Sequence, residues 1–176
     1  TNNIKEIINK YDDYKYYIGV VKANAYGHGD YIVNDLIKGG VNYLAVSSLE
    51  EALSIRKYNQ EIPILCLEPI NLEHLSVILE NDITITIESL EYTKELLKLN
   101  PSQKLKIHLK LDTGMSRLGF TDQQNLDKTI SLIKENKHLY LEGIYTHLAT
   151  SGINDIYYDK QINKFKELTS NIDLST

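Results

Sequence analysis

Lys22 follows an apolar run and is the first residue whose position suggests chemistry. Residues 16–21 have the length and composition of a β-strand, and Lys22 comes directly after them. In α/β folds, ligands bind at the carboxyl ends of strands. A lysine placed there can be partly desolvated, which favours the neutral amine that attacks an aldehyde. The alternative is a strand-end lysine whose ammonium reaches solvent along its aliphatic stem.

A second group of polar side chains lies on a later predicted strand, residues 106–111. Strand alternation places His108, Lys110 and Asp112 on one face and apolar residues on the other. Because the apolar face should pack on helices, we expect the polar face to point into a barrel interior. Either an internal hydrogen-bond network or a functional site would explain it. Arg117 follows closely, and two cations side by side would repel each other.

His147 follows a third apolar run, residues 141–145, and is therefore expected at the same carboxyl-end rim. A lone histidine is usually a hydrogen-bonded rim or core residue. The five histidines (28, 74, 108, 138 and 147) lack metal-ligand spacing, and the chain has no HExxH motif. The sequence therefore predicts no metal site.

Short apolar runs alternate with helical patterns along the chain. The predicted strands are residues 16–21, 43–47, 62–67, 83–87, 106–111 and 141–145. Capping-box patterns at Ser48–Glu51 and Thr121–Gln124 predict two helix starts, and a last helix is expected over residues 155–168. Repeated strand–helix units imply parallel strands. Periodicity alone does not separate an open doubly wound sheet from a (β/α) barrel.

Composition indicates a globular α/β domain and argues against several other classes. The 176 residues carry a net charge of −5 and scattered basic residues, so nothing favours nucleic acid as a partner. No apolar run approaches the roughly 18 residues of a membrane span. Cys66, the only cysteine, reads as a buried apolar residue, which suits a reducing cytoplasm. Met115 is the only methionine and is internal, which suggests a fragment.

Three segments together resemble the pyridoxal-phosphate-dependent alanine racemases. Residues 21–29, VKANAYGHG, resemble the cofactor-lysine signature of that family, and residues 108–120 and 143–150 are also similar to it. The resemblance implies an α/β fold, a (β/α)8 TIM-type barrel. It would be incomplete here, with about six βα units and no C-terminal β-domain. Residues 1–176 would then form a partial N-terminal barrel domain.

The resemblance also implies roles for individual residues. Lys22 would hold pyridoxal 5'-phosphate as a Schiff base and act as a catalytic base, and Tyr26 would reach the cofactor phosphate. Arg117 would bind the cofactor's phenolic oxygen and the substrate carboxylate, and His147 would stack against the cofactor ring. Lys110 would orient Arg117, often as a carbamate, because carbamylation converts its ammonium into an anion that pairs with a guanidinium.

The function implied by the resemblance is interconversion of L-alanine and D-alanine by a cytoplasmic homodimer that supplies D-alanine for the cell wall. In that family the second base is a tyrosine of the other subunit's C-terminal domain, so we expect residues 1–176 alone to be inactive. Two alternatives remain at this point. One is a serine or broad-specificity amino-acid racemase. The other is a non-catalytic pyridoxal phosphate carrier, against which the motif around Arg117 argues.

Overall fold

Strands and helices alternate along the chain, as the apolar periodicity predicts. The computed structural model describes residues 2–150, 152–153 and 155–172. The strands are β1 (Ile18–Val20), β2 (Tyr43–Val46), β3 (Ile64–Cys66), β4 (Ile83–Ile87), β5 (Leu105–Leu111) and β6 (Leu139–Thr146). The helical segments are α1 (Asn2–Lys10), α2 (Lys22–Tyr26), α3 (Val33–Gly39), α4 (Leu49–Arg56), α5 (Leu75–Glu80), α6 (Leu90–Lys98), α7 (Gln123–Glu135) and α8 (Ile156–Thr169); α2 differs from the others because its backbone is left-handed from Ala23 onwards.

The strands form one parallel sheet in sequential order, from β1 to β6. Leu44 of β2 lies opposite Ile64 of β3, which lies opposite Ile83 of β4. All residues of β2, β3 and β4 are buried, as expected for parallel strands covered on both faces. The sequential order confirms that the segments between strands cross over to the neighbouring parallel strand.

Two strands begin later than predicted because side chains take over their first hydrogen bonds. Residues 16–21 were expected in β1, but the Tyr17 N–H donates to Asn42 Oδ1 at 2.8 Å, and the strand begins at Ile18. Residues 62–67 were expected in β3, but the Ile62 N–H donates to Asn59 Oδ1 at 2.8 Å, and the strand begins at Ile64. Asparagine side chains compete in this way with regular backbone pairing.

The chain divides into two compact units. The first unit comprises residues 1–86 and 103–106, and the second comprises residues 87–102 and 107–176. The first unit has a core of fully buried branched side chains, among them Leu44, Ile55, Ile64 and Ile78. The core of the second unit includes Leu96, Ile107, Leu109, Leu126 and Ile133. Burying each such side chain stabilises the fold by about 1.5–3 kcal/mol.

Helix starts follow the expected chemistry, with one correction. Ser48 caps α4 by accepting the Glu51 N–H at 3.4 Å, as its capping pattern predicts. The prediction that Thr121 caps the helix of residues 123–135 was wrong. Asp122 is the cap, because its backbone is extended and its carboxylate accepts the Asn125 N–H at 2.9 Å. Asp155 caps α8, which confirms the predicted last helix.

Cys66 is fully buried and unpaired with another cysteine, as predicted. Burial raises the pKa of its thiol to about 12, so it remains protonated and unreactive at neutral pH. Its Sγ donates to the Ser47 carbonyl at 3.2 Å. Separately, none of the helices in the described residues is both long and apolar enough to span a bilayer.

Candidate functional site

The backbone immediately after Lys22 adopts a conformation that L-amino acids rarely take. Ala23, Asn24, Ala25 and Tyr26 have φ values of 53°, 53°, 52° and 54°, so four consecutive residues are left-handed. A left-handed helical conformation costs roughly 1–2 kcal/mol per residue for side chains other than glycine and asparagine. Strain of this kind persists where the surrounding structure enforces it, and it clusters at functional sites. We call residues 23–26 the left-handed turn.

Several hydrogen bonds hold the left-handed turn in place. The Ala25 N–H donates to the Val21 carbonyl at 2.9 Å, and the Gly29 N–H donates to the Asn24 carbonyl at 2.9 Å. A carboxylate from outside the turn also takes part. Glu51 Oε1 accepts the Ala23 N–H at 2.7 Å, and Glu51 Oε2 accepts the Ser47 N–H at 2.8 Å. The sequence indicated only a helix-capping role for Glu51.

Tyr26 ends the left-handed turn and is 61% exposed. A tyrosine that served only to pack against the rim of the fold would bury its ring. The exposed ring leaves the phenol accessible to a ligand. Its predicted contact with a cofactor phosphate stays a prediction.

In the second unit, Lys110 lies almost fully buried on β5, with 5% of its surface exposed. Its Nζ lies 4.6 Å from the centroid of the Tyr145 ring. Burial, and secondarily the positive charge of Arg117, lowers the pKa of Lys110 to about 8. The charge of Arg117 thus disfavours the protonated form of Lys110.

Arg117 is exposed and lies on a tight loop organised by Asp112. The Asp112 carboxylate accepts the backbone N–H groups of Gly114, Ser116 and Arg117 at 2.9, 3.0 and 2.8 Å. Partial burial raises the pKa of this carboxyl, but the backbone N–H groups outweigh it and hold the pKa below its usual range. The Asp112 carboxylate thus fixes the conformation of this loop and the position of the Arg117 backbone nitrogen.

His147 lies directly after β6 and is exposed. Its backbone carbonyl accepts a hydrogen bond from Gln161 Nε2 at 3.1 Å, and Gln161 Oε1 accepts the Ala149 N–H at 2.8 Å. Gln161 is fully buried on α8 and also donates to Thr113 Oγ1 at 3.3 Å. One amide therefore ties the segment around His147 to the residue that follows Asp112.

His108 lies next to Lys110 on the same face of β5 and is also buried. Its Nε2 lies 3.1 Å from Glu142 Oε2 on β6, and its ring packs over Gly143. The polar face predicted for this strand is thus a hydrogen-bonded network that also carries Lys110. Of the three residues predicted for this face, Asp112 lies just beyond the strand.

No group of three or more His, Cys, Asp and Glu side chains within the described residues could hold a metal ion. Lys22 and Tyr26 lie in the first unit, and Lys110, Arg117 and His147 lie in the second.

Comparison with known proteins decides the family. The family model described as alanine racemase, N-terminal domain, matches residues 1–175. The chain belongs to the alanine racemase N-terminal domain family. "Alanine racemase 2" of Caldanaerobacter subterraneus subsp. tengcongensis is 39% identical over 176 residues, which cover 98% of this chain and 45% of that protein.

Solved structures agree with this family membership. The crystal structure of alanine racemase from Oenococcus oeni matches with a TM-score of 0.89 and 32% identity, over 97% of this chain and 50% of that chain. A histidine racemase from Leuconostoc mesenteroides subsp. sake matches with a TM-score of 0.87 and 27% identity, over 99% of this chain and 47% of that one. The chain thus spans about half the length of the alanine racemases it matches.

The alanine racemase N-terminal domain is a barrel, and the parallel six-stranded sheet with alternating helices confirms the predicted fold class. The family depends on pyridoxal phosphate. The sequence did not predict two contacts beside the candidate residues. Glu51 binds the backbone directly after Lys22, and Gln161 binds the backbone of His147. The local sequence indicated only a capping role for Glu51 and no role for Gln161, because Ala23 and Thr113, which they bind, lie 28 and 48 residues away along the chain.

Proposed function

We propose that this chain supplies the cofactor-holding part of an alanine racemase. The left-handed turn directly after Lys22 is the observation that carries the proposal. A conformation this costly is retained when a neighbouring group must be held in one place. Here that group is an amine at the carboxyl end of β1, where ligands of α/β folds bind.

These residue types fit pyridoxal phosphate, which carries an aldehyde, a phosphate and an aromatic ring. By resemblance, Lys22 would hold the cofactor through its amine, Tyr26 would serve its phosphate, and His147 would serve its ring. Arg117 would serve the phenolic oxygen and the substrate carboxylate. When bound, pyridoxal phosphate supplies an electron-withdrawing ring that acidifies the α-hydrogen of an amino acid. The Lys22 amine would take or return the proton at the α-carbon on one face of the substrate.

Borohydride reduction of the complete gene product tests the assignment of Lys22. We expect the reduced protein to carry the cofactor mass on a peptide containing Lys22. Lys22→Ala should abolish this mass. The matched control is Lys38→Ala, which removes an exposed lysine paired with Asp35 and should leave the labelling unchanged. Cofactor fixed to the Lys22→Ala protein would overturn the proposal.

Lys110 is proposed to act as a carbamate. Its lowered pKa of about 8 leaves a larger fraction of neutral amine than an ordinary lysine has at neutral pH. The neutral nitrogen forms a bond to the carbon of CO₂ and releases one proton. The product carries a negative charge that pairs with Arg117 and removes the repulsion between the two cations.

Carbon-13 NMR of the complete gene product in ¹³C-bicarbonate tests the carbamate. We expect a carbamate signal that grows as the pH rises through about 8 and that Lys110→Met removes. Lys106→Met is the control, because Lys106 lies on the same strand but its ammonium pairs with Asp82 at 2.6 Å. A signal that survives Lys110→Met would assign the carbamate to another amine.

Alanine is the proposed substrate because the family relatives carry that name. Other amino acids are also candidate substrates. The chain is similar to a histidine racemase, and the sequence leaves a serine or broad-specificity racemase as an alternative. Interconversion of D- and L-alanine, serine and histidine by the complete gene product separates them. We expect alanine to have the highest kcat/KM, and a higher value for serine or histidine would replace the substrate. No racemisation despite cofactor on Lys22 would favour the non-catalytic carrier.

The physiological proposal follows from the activity. A cytoplasmic homodimer would supply D-alanine for peptidoglycan, with the second base contributed by the partner subunit. Sedimentation of the complete gene product tests the dimer, and growth without D-alanine after gene deletion tests the supply. Unimpaired growth in a strain with no other racemase would contradict that role.

A further inference from the structure

Glu51 contacts two backbone segments that are distant from it in sequence. It is the third residue of α4, and its two carboxylate oxygens accept different N–H groups. Oε1 lies 2.7 Å from the Ala23 nitrogen, 28 residues away, and Oε2 lies 2.8 Å from the Ser47 nitrogen at the end of β2. The side chain thus bridges the carboxyl end of β2 and the left-handed turn after β1.

These contacts differ from those of a capping box. In that motif the glutamate reaches back to the N–H of the cap residue, which here is Ser48. Ser48 does cap the helix, since its hydroxyl accepts the Glu51 N–H at 3.4 Å. The Glu51 carboxylate, however, binds Ser47 and Ala23 instead. Its position in the first turn of α4 favours a negative charge there.

The bond to Ala23 lies at the point where the backbone becomes left-handed. Ala23 is the first residue of the turn, and its nitrogen belongs to the peptide group that joins it to Lys22. Hydrogen bonds from N–H groups to a carboxylate are shorter and stronger than neutral ones. The Glu51 carboxylate therefore fixes the plane of the peptide bond directly after Lys22.

We propose that Glu51 is a positioning residue that holds the left-handed turn and thereby fixes the direction in which the Lys22 amine points. The inference rests on the proposed role of Lys22 as the cofactor lysine. An amine that must meet both an aldehyde and an α-carbon loses effectiveness when it is misplaced by a fraction of an ångström. The carboxylate offsets part of the conformational cost of the turn.

The first experiment measures amide hydrogen exchange in the complete gene product. Glu51→Gln keeps the shape of the side chain, but its amide has one acceptor oxygen for two N–H donors. We expect the peptide spanning residues 22–27 to exchange about tenfold faster, because one charge-assisted hydrogen bond is lost. Glu50→Gln is the control, since it removes the same charge from the same helical turn. Unchanged exchange in Glu51→Gln overturns the proposal.

The second experiment measures how much cofactor borohydride fixes on Lys22. We expect Glu51→Gln to reduce the fixed fraction severalfold at subsaturating cofactor while Glu50→Gln leaves it unchanged. Equal losses in the two variants would point to a general effect of charge on α4 and would overturn the positioning role. Thermal unfolding of both proteins shows whether either variant fails to fold.

A rescue variant keeps the test specific. Glycine adopts the left-handed conformation without steric cost, so Ala23→Gly should lessen the need for the carboxylate. In the Glu51→Gln background we expect Ala23→Gly to restore part of the lost labelling, and no restoration would contradict the mechanism. If the parent protein carries no cofactor on Lys22, the proposed function fails, and the exchange experiment still tests the Glu51 contact.

Discussion

Burial shifts the pKa values of two side chains in the second unit in opposite directions. It lowers the pKa of Lys110 to about 8, and it raises the pKa of the Glu88 carboxyl, which follows β4. Glu88 Oε1 accepts the Ser89 hydroxyl at 3.0 Å, whereas Oε2 is buried without a hydrogen-bond partner among the described residues. In both cases the buried surroundings favour the neutral form.

Glu88→Gln should stabilise the protein at neutral pH. Because the folded pKa of Glu88 is raised, its stabilising contribution is complete below the unfolded pKa and is lost as the pH rises. The uncharged amide avoids this loss and keeps the oxygen that accepts the Ser89 hydroxyl. We expect a higher unfolding temperature at pH 7 and a difference that shrinks towards about pH 4. Glu95→Gln, an exposed change on α6, should show no comparable gain.

Gly143→Ala should destabilise the second unit. A Cβ at this position would lie 2.7 Å from His108 Cε1 and 2.9 Å from His108 Nδ1. The imidazole cannot easily move away, because Glu142 holds its Nε2. We expect a loss of about 1–3 kcal/mol in the free energy of unfolding, measured by urea denaturation. Gly39→Ala, which meets only the flexible Ile4 side chain, should be neutral or slightly stabilising.

At the scale of single residues, the sequence was enough to find polar side chains at strand positions where apolar ones are usual. Alternation along residues 106–111 was enough to predict that His108 and Lys110 share a buried polar face. It could not find Glu51 or Gln161. Their functions depend on partners 28 and 48 residues away, and a helical glutamate or glutamine is usually solvated.

At the scale of elements, the strand centres were predictable because fully buried strands are continuous apolar runs. The starts of β1 and β3 were not, because they depend on the asparagine side chains at positions 42 and 59. The left-handed turn was also missed. Alanine and tyrosine favour right-handed conformations, and only Asn24 in this turn is a residue type that commonly adopts the left-handed one.

Thr121 and Asp122 can be compared directly as candidate caps of α7. Asp122→Ala should cost about 1 kcal/mol of unfolding free energy, whereas Thr121→Ala should cost much less. The Asn125 N–H lowers the pKa of Asp122, so the stabilising effect is present above the unfolded pKa and lost as the pH falls. Thermal unfolding at pH 7 and pH 3 measures both effects. A larger loss from Thr121→Ala would show that Thr121, and not Asp122, caps α7.

At the scale of the whole molecule, length decides what the 176 residues can do by themselves. They span about half the length of the matching alanine racemases, and the resemblance assigns the second base to the other half. We expect residues 1–176, expressed alone, to show no interconversion of D- and L-alanine above background. The complete gene product should be active under the same conditions. Racemisation by the 176-residue protein would mean that it carries both bases.

The edges of the sheet predict how residues 1–176 behave when they are expressed alone. Within the described residues, β1 and β6 each have one neighbouring strand. An unpaired strand edge is a template for pairing with another chain, and charged side chains oppose such pairing. We therefore expect concentration-dependent association in sedimentation experiments, weakened by Tyr140→Lys on β6. Tyr58→Lys makes the same change at an exposed tyrosine outside the strands and should leave association unaltered. If both variants weaken association equally, net charge rather than the β6 edge controls it.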